Sequence, residues 1–294
     1  LKLSIVSFIF ETQGNEMENA KLLIDADCPM CCLYGKAFVK TGLLTEDGLS
    51  PYQNTEENIC KSVDMDRARN EIALFDGEKT VYGPDALLSI LAQGNPLVMR
   101  ISNWAPMRFL LNHFYAFISY NRKVIYPVKR DLTQVECRPD YNAFYRWSFI
   151  LFVAITTGML LNFFVLELSR ELHITHFWWR EYLICFGQVA WQFTAVALIC
   201  RKREHSKRME YLGNMSTVSF IGGLLLIPVL LIEANFNLGL FFLLPSFFTV
   251  VLFMFFEHIR RCKIIGLPLG MTFSWILFRV FALAVIVSFI VLSK

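Results

Sequence analysis

Net charge is scarce in this chain. Its 294 residues carry 28 Lys and Arg against 25 Asp and Glu, a formal balance of +3. No groove of Arg and Lys interleaved with aromatics stands out, so composition argues against a nucleic-acid partner. Histidine is sparse, at five residues, and no second C-x-x-C accompanies the one at Cys28 and Cys31. A tetrahedral Cys/His metal set therefore lacks its usual second half. The eight cysteines do not form a disulfide framework: Cys28, Cys31 and Cys32 cluster, Cys185 and Cys200 lie in apolar runs, and Cys262 sits in a basic loop. Such usage fits a reducing compartment with one reactive cluster, not a secreted scaffold. No haem or quinone motif is present, which leaves an electron-transfer membrane enzyme without support. No small-x-small cleavage site follows the short apolar run 3–10, which disfavours a signal peptide. Met17 is expected to be the natural start, with residues 1–16 an extension without function.

What the chain does have is apolar residues, 55% of the total with 28 Phe. They are unevenly spread. Residues 1–140 carry most of the acids and read as soluble. From Trp147 on, long apolar runs dominate, and these need lipid. Five spans are readable, at 147–168, 182–200, 217–233, 238–256 and 273–292. Only Ala234, Asn235, Phe236 and Asn237 separate the third from the fourth, which predicts a helical hairpin. Basic residues cluster before Trp147 (Lys123, Lys129, Arg130, Arg138, Arg146), at 201–208 and at 260–263. With five spans these segments share one side, and the positive-inside rule puts that side in the cytoplasm. The expectation is an integral protein of a bacterial plasma membrane, N-terminal domain cytoplasmic and C-terminus outside.

The first half reads as α/β. Residues 21–25 form a strand candidate and 31–40 a helix that stops at Thr41 and Gly42. Residues 45–58 are mostly loop, and a short helix fits 64–69. A strand at 71–75, the turn Asp76-Gly77 and a strand at 79–82 make a hairpin. Gly83-Pro84-Asp85 opens a helix that ends near Gly94. Helices follow at 97–103 and 107–121, with mixed faces that suit packing on the domain or on a membrane surface. The expected organisation is an extension at 1–19, the α/β domain at 20–127, a basic linker at 128–146 and the membrane domain at 147–294.

Between the first strand and first helix lies Asp25-Ala26-Asp27-Cys28-Pro29-Met30-Cys31. Two cysteines spaced C-x-x-C at a helix start are the arrangement of a dithiol redox centre. The helix N-terminus favours a thiolate, the species that attacks disulfides. Asp25 and Asp27 oppose this, because their charges raise the pKa of Cys28. Asp25, if buried, can shuttle a proton as a general base, or one of the two acids caps the helix. No proline precedes the strand at 71, where thioredoxins place a cis-proline opposite their cysteines. Metal binding is the competing chemistry: Cys28, Cys31, Cys32 and Cys60 are soft ligands for Cu(I) or Zn(II).

Asp25-x-x-Cys28-x-x-Cys31 resembles the signature of the DCC family of thiol-disulfide oxidoreductase-like proteins. Ala26 stands where that family commonly has Gly. The hairpin and helix at 71–93 and the segment from Tyr115 to Arg122 are also similar to the family's later part. The resemblance covers about residues 20–127, and the membrane half lies outside it. It implies a thioredoxin-like fold joined to an all-α transmembrane bundle, with Cys28 and Cys31 as the redox pair. The working expectation is thiol-disulfide exchange with a protein or small-molecule thiol substrate. Cys28 attacks, Cys31 resolves and Asp25 assists proton transfer. No separate cofactor is implied, because the dithiol carries the electrons. The alternative is a non-enzymatic membrane protein whose cysteine cluster holds a soft metal or senses redox state.

Polar residues inside the spans are the remaining candidates. Arg279 either snorkels to the cytoplasmic surface or pairs with Glu257. Gln188, Trp191 and Gln192 read as interhelical glue. His173 and His176 have a metal-compatible spacing but read more simply as surface residues.

Overall fold

The structure, a computed structural model, describes residues 20–26, 28–51, 59, 62–95, 97–128 and 141–292. The expectations for residues 1–19, Asp27, Cys60 and most of the linker at 128–146 lie outside them. The described residues divide into two compact units, one built on a sheet and one all-helical.

In the first unit, β1 (Lys21–Ile24) runs into α1 (Pro29–Lys40), then through a short 3-10 turn into β2 (Leu49–Pro51). After α2 (Met65–Asn70) come β3 (Ala73–Phe75), β4 (Thr80–Tyr82) and α3 (Pro84–Gly94). Two further helices follow, α4 (Leu97–Ser102) and α5 (Ala105–Ile125). The four strands lie in the order β2-β1-β3-β4. β1 and β2 are parallel, with Leu22 opposite Leu49, and β1–β3 and β3–β4 are antiparallel.

Alternation explains why β1 is central. Leu22 and Ile24 face a core with Cys31, Phe38, Leu74 and Ile90, while Leu23 points to the opposite core with Ile59, Val63 and Ala73. A strand apolar on both sides must be covered on both sides. At the end of α1, Gly42 takes a φ of +73°. Its N–H donates to the Val39 carbonyl and that of Leu43 to the Phe38 carbonyl, both at 3.0 Å. This is a Schellman ending, which favours Gly at the left-handed position. In the hairpin, Asp76 Oδ1 accepts the N–H groups of Lys79 at 2.7 Å and Glu78 at 3.0 Å. Those bonds hold its carboxyl below the usual carboxylate range, with Lys79 the larger cause.

Two expectations need correction. The first helix starts at Pro29, not at residue 31, and Asp25 does not stand at its N-cap. Cys28 does, with no side-chain capping bond. Residues 45–58 are not simply loop, because they contain the 3-10 turn and β2. Three residues are too few to show a period, and β2 is defined by its parallel partner instead.

The second unit holds five helices long and apolar enough to cross a membrane. They are α6 (Ala143–Leu172), α7 (Arg180–Ile199), α8 (His205–Phe236), α9 (Leu240–Ile264) and α10 (Gly270–Leu292). Asn237, at φ +48°, ends α8 in a left-handed cap, so α8 and α9 form the expected hairpin. Gly222 lets them close up: a Cβ there would collide with the Met254 thioether. Large apolar side chains such as Phe241, Phe248 and Phe273 stay exposed on the outside of the helices. In water that surface would be costly, and in lipid it is ordinary.

The charged end of α9 organises one end of this unit. Glu257 pairs with Arg260 and Arg261, at 2.6 and 2.7 Å, and not with Arg279 as one alternative had it. Arg279 instead stacks on Trp275, 4.1 Å from its ring centroid. Arg261 also donates to the Val124 carbonyl at 2.6 Å, the Ile125 carbonyl at 3.1 Å and Asn214 Oδ1 at 3.0 Å. Residues 123–129 belong to this unit, so Arg261 here serves main-chain carbonyls of its own unit that have no helical partner. The Arg261 side chain is 4% exposed and that of Arg260 50%. Arg261→Met is expected to destabilise the protein by about 1–3 kcal/mol, because it takes a buried charged donor from the Val124 and Ile125 carbonyls and Asn214 Oδ1. Arg260→Met should cost no more than about 1 kcal/mol. Denaturation of both variants in detergent checks the contrast, and equal losses would contradict it.

Candidate redox site

The site is built on the turn between β1 and α1. The Cys28 N–H donates to the Asp25 carbonyl at 3.1 Å, and the Cys28 carbonyl accepts the Cys32 N–H at 3.0 Å. Pro29 then occupies the first helical turn, where a missing N–H costs nothing. This geometry leaves Cys28 half-buried at the helix entrance. Cys31, one turn on, is 5% exposed and packs into the core. Cys28, Cys31 and Cys32 are all free thiols.

Cys28 and Cys31 face each other closely enough to share a proton. The Cys28 thiol donates to Cys31, which lowers the Cys31 pKa to about 6 against the opposing effect of burial. The Arg122 guanidinium, the Tyr34 hydroxyl and a main-chain bond at Asp25 add to that lowering. Arg122 Nη1 lies 4.0 Å from Cys31 Sγ. The Cys28 thiol is raised, first by its bond to Cys31 and then by burial. Burial and the neighbouring Cys31 charge push Tyr34 well above the ordinary phenol range.

Arg122 and Tyr115 both come from α5 and stand seven residues apart, on one helix face. Tyr115 Oη accepts the Ile72 N–H at 2.9 Å, tying α5 to the entry of β3. Burial lifts its pKa to about 12, so it stays a neutral phenol. Neither residue had a chemical role in the sequence reading. The resemblance took in the segment from Tyr115 to Arg122, but it gave neither side chain a place beside the cysteines some ninety residues earlier.

The expected site residues stand as follows. Cys28 and Cys31 come together at the start of α1. Asp25 is half-buried, so the burial that would suit it to proton shuttling is incomplete. It touches the pair through its main chain. Cys32 turns its thiol away, to the Ala26 carbonyl at 3.3 Å. Among the described residues no three His, Cys, Asp or Glu side chains converge as a metal site.

No family model, no curated protein and no solved structure matches the chain.

The Arg122 contact makes a direct prediction. Arg122→Met removes a positive charge beside the Cys31 sulfur and is expected to raise the first pKa of the dithiol by about one unit. A pH titration of thiolate absorbance at 240 nm checks this. An unmoved midpoint would remove Arg122 from the site.

Proposed function

We propose that the chain is a membrane-tethered thiol-disulfide oxidoreductase of the DCC type, with Cys28 and Cys31 as its working pair. One observation carries the reading: a C-x-x-C pair at a helix entrance, with a half-buried outer sulfur and a cation beside the buried one. The sheet order supports a thioredoxin-like domain. Such a domain needs a parallel strand-helix-strand unit followed by an antiparallel hairpin and a helix, and β1 to α3 run in that order.

The chemistry follows from the shared proton. Cys31 is the better-stabilised thiolate but is buried, so Cys28 is the sulfur a substrate can meet. Cys31 takes the Cys28 proton as base, and the Cys28 thiolate attacks a substrate disulfide. One substrate sulfur leaves as a thiolate and takes a proton from water. The mixed disulfide forms on Cys28. Arg122 and Tyr34 then favour loss of the Cys31 proton, and the Cys31 thiolate attacks Cys28 Sγ. The second substrate thiol departs, and two electrons have passed from the dithiol to the substrate. A thiol of the reducing pool restores the pair. Asp25 is a positioning residue in this scheme, holding Cys28 through its carbonyl. Tyr115 occupies the main-chain N–H of Ile72, next to the place where thioredoxins put their cis-proline, so a substrate must dock differently here.

The domain is read as cytoplasmic, in the plasma membrane of a bacterium, from the basic loops. The test is catalytic reduction of a chromogenic disulfide by the purified full chain, with dithiothreitol supplying electrons. Metal content is measured on the same sample. Turnover without bound metal supports the reading. Stoichiometric zinc or copper with no turnover overturns it in favour of a metal-binding cluster.

A further inference from the structure

The helical unit contains a polar line that the redox chemistry does not use. On α7, Glu181, Cys185, Gln188 and Gln192 recur at spacings of four, three and four, so they share one face. That face turns inward: Glu181 is 2% exposed and Gln192 0%. Toward the other end of the unit, Gln192 Oε1 accepts the Tyr211 hydroxyl at 2.8 Å. Tyr211 Oη lies 3.2 Å from His258 Nε2, and His258 Nδ1 lies 3.2 Å from Thr272 Oγ1. Tyr211, His258 and Thr272 are all buried. Glu181 begins α7, whereas His258 lies near the end of α9 and Thr272 near the start of α10. With successive helices alternating in direction, the line runs from one end of the bundle to the other.

Midway along it sits a cavity of about 20 Å³, lined in part by Thr157, Cys185, Gln188, Ser216 and Ser219. Three buried polar atoms on these residues have no hydrogen-bond partner: Thr157 Oγ1, Gln188 Nε2 and Ser216 Oγ. A space of that size holds about one water, and a buried water commonly makes about three hydrogen bonds. Two more residues of the α7 face show the same feature, because Glu181 Oε2 and Gln192 Nε2 are also buried without partners. Interhelical bonding accounts for Trp191, which donates to Ser274 Oγ at 3.1 Å, and for Gln192 with Tyr211, but leaves Thr157 Oγ1, Gln188 Nε2 and Ser216 Oγ unpaired. Unpartnered donors and acceptors around a water-sized cavity, on one line with a buried carboxylate and a buried imidazole, are the composition of a proton route.

We propose that this line conducts protons through the bundle, between the Glu181 end and the His258 end. The Glu181 carboxylate takes a proton from water at its end. Water held by Thr157, Gln188 and Ser216 passes it inward to the Tyr211 oxygen, and Tyr211 turns its own hydrogen from Gln192 Oε1 to His258 Nε2 as it takes up the new one. His258 releases it at the opposite end. Only O–H and N–H bonds form and break, each carrier returns to its starting state, and no electrons move. Charged and titratable groups flank both ends. Arg180 donates to Glu181 Oε1 at 2.9 and 2.7 Å. Cys262 Sγ lies 3.7 Å from His258 Nδ1. The Trp275 ring stacks on His258 at 5.1 Å between centroids, and Arg279 lies over that same Trp275 ring.

The test uses the purified full chain in lipid vesicles that enclose a pH-sensitive dye. A potassium gradient with valinomycin supplies the driving force and balances the charge. The expected result is proton entry faster than in protein-free vesicles. Glu181→Gln and His258→Phe should each slow it at least about tenfold, as expected when a positioned proton carrier is lost. Thr157→Val keeps the side-chain shape without the hydroxyl and should also slow it, which covers the case in which a charged-site variant fails to fold. Wild-type vesicles as tight as protein-free ones would overturn the proposal. So would wild-type rates in both Glu181→Gln and Thr157→Val.

Discussion

Cys28→Ser is expected to abolish disulfide reduction, lowering turnover by at least about a thousandfold, the scale of loss when a covalent nucleophile is removed. Cys31→Ser should behave differently. It leaves the attacking sulfur in place but removes the sulfur that resolves the intermediate. The variant should accumulate a stable one-to-one mixed disulfide with its substrate, released only by added thiol. The asymmetry rests on burial, because Cys31 is 5% exposed and packed among Phe38, Leu44 and Ile90, whereas Cys28 stands half-buried at the helix entrance. Brief alkylation of the reduced protein should therefore modify Cys28 first, although Arg122 favours negative charge on Cys31. Equal alkylation of both sulfurs, with turnover surviving Cys28→Ser, would reverse the roles assigned here.

The second large effect is all-or-none labelling across the membrane. Reporter fusions after Arg208 and Lys263 are expected on the cytoplasmic side, and a fusion after Lys294 on the other. A membrane-impermeant maleimide should leave Cys28 unlabelled in intact cells and label it once the cells are opened. The argument is the agreement of three basic segments, before Trp147, at 201–208 and at 260–263, with five spans between and after them. The side decides the direction of the chemistry. On the proposed cytoplasmic side a reducing thiol pool would keep the pair as a dithiol, and the domain would donate electrons. Labelling of Cys28 in intact cells would put the domain outside and make it an oxidant.

The sequence made the elements most legible where the pattern was long or chemically marked. The five spans were clear because each is an apolar run near the length of a hydrocarbon core. Their helices extend further than the runs, as with α8, which begins at His205 and not near residue 217. Helical hydrogen bonding continues through polar turns that hydropathy alone would exclude. β1 was visible from the apolar run Leu22-Leu23-Ile24, and the hairpin from alternation at 71–75 and the Asp76-Gly77 turn. β2 was not, because its three residues owe their conformation to pairing with β1. At the site, the two cysteines announced themselves by spacing, whereas the helix start at Pro29, two residues before the expected one, did not. Arg122 and Tyr115 did not, since only the packing of α5 brings them to a motif far away in the chain. Arg279 had two readable partners, snorkelling to water or Glu257. The structure gives it Trp275, four residues earlier on its own helix, because Arg260 and Arg261 already hold Glu257.

The most direct test of the central claim is a redox titration of the purified full chain in glutathione buffers, read by mass spectrometry of the peptide that carries Cys28, Cys31 and Cys32. The account predicts reversible loss and gain of two hydrogens on that peptide. The bond should link Cys28 to Cys31 and leave Cys32 open to alkylation. A pair that stays reduced across the whole range, or a bond that uses Cys32 in place of Cys31, would contradict it.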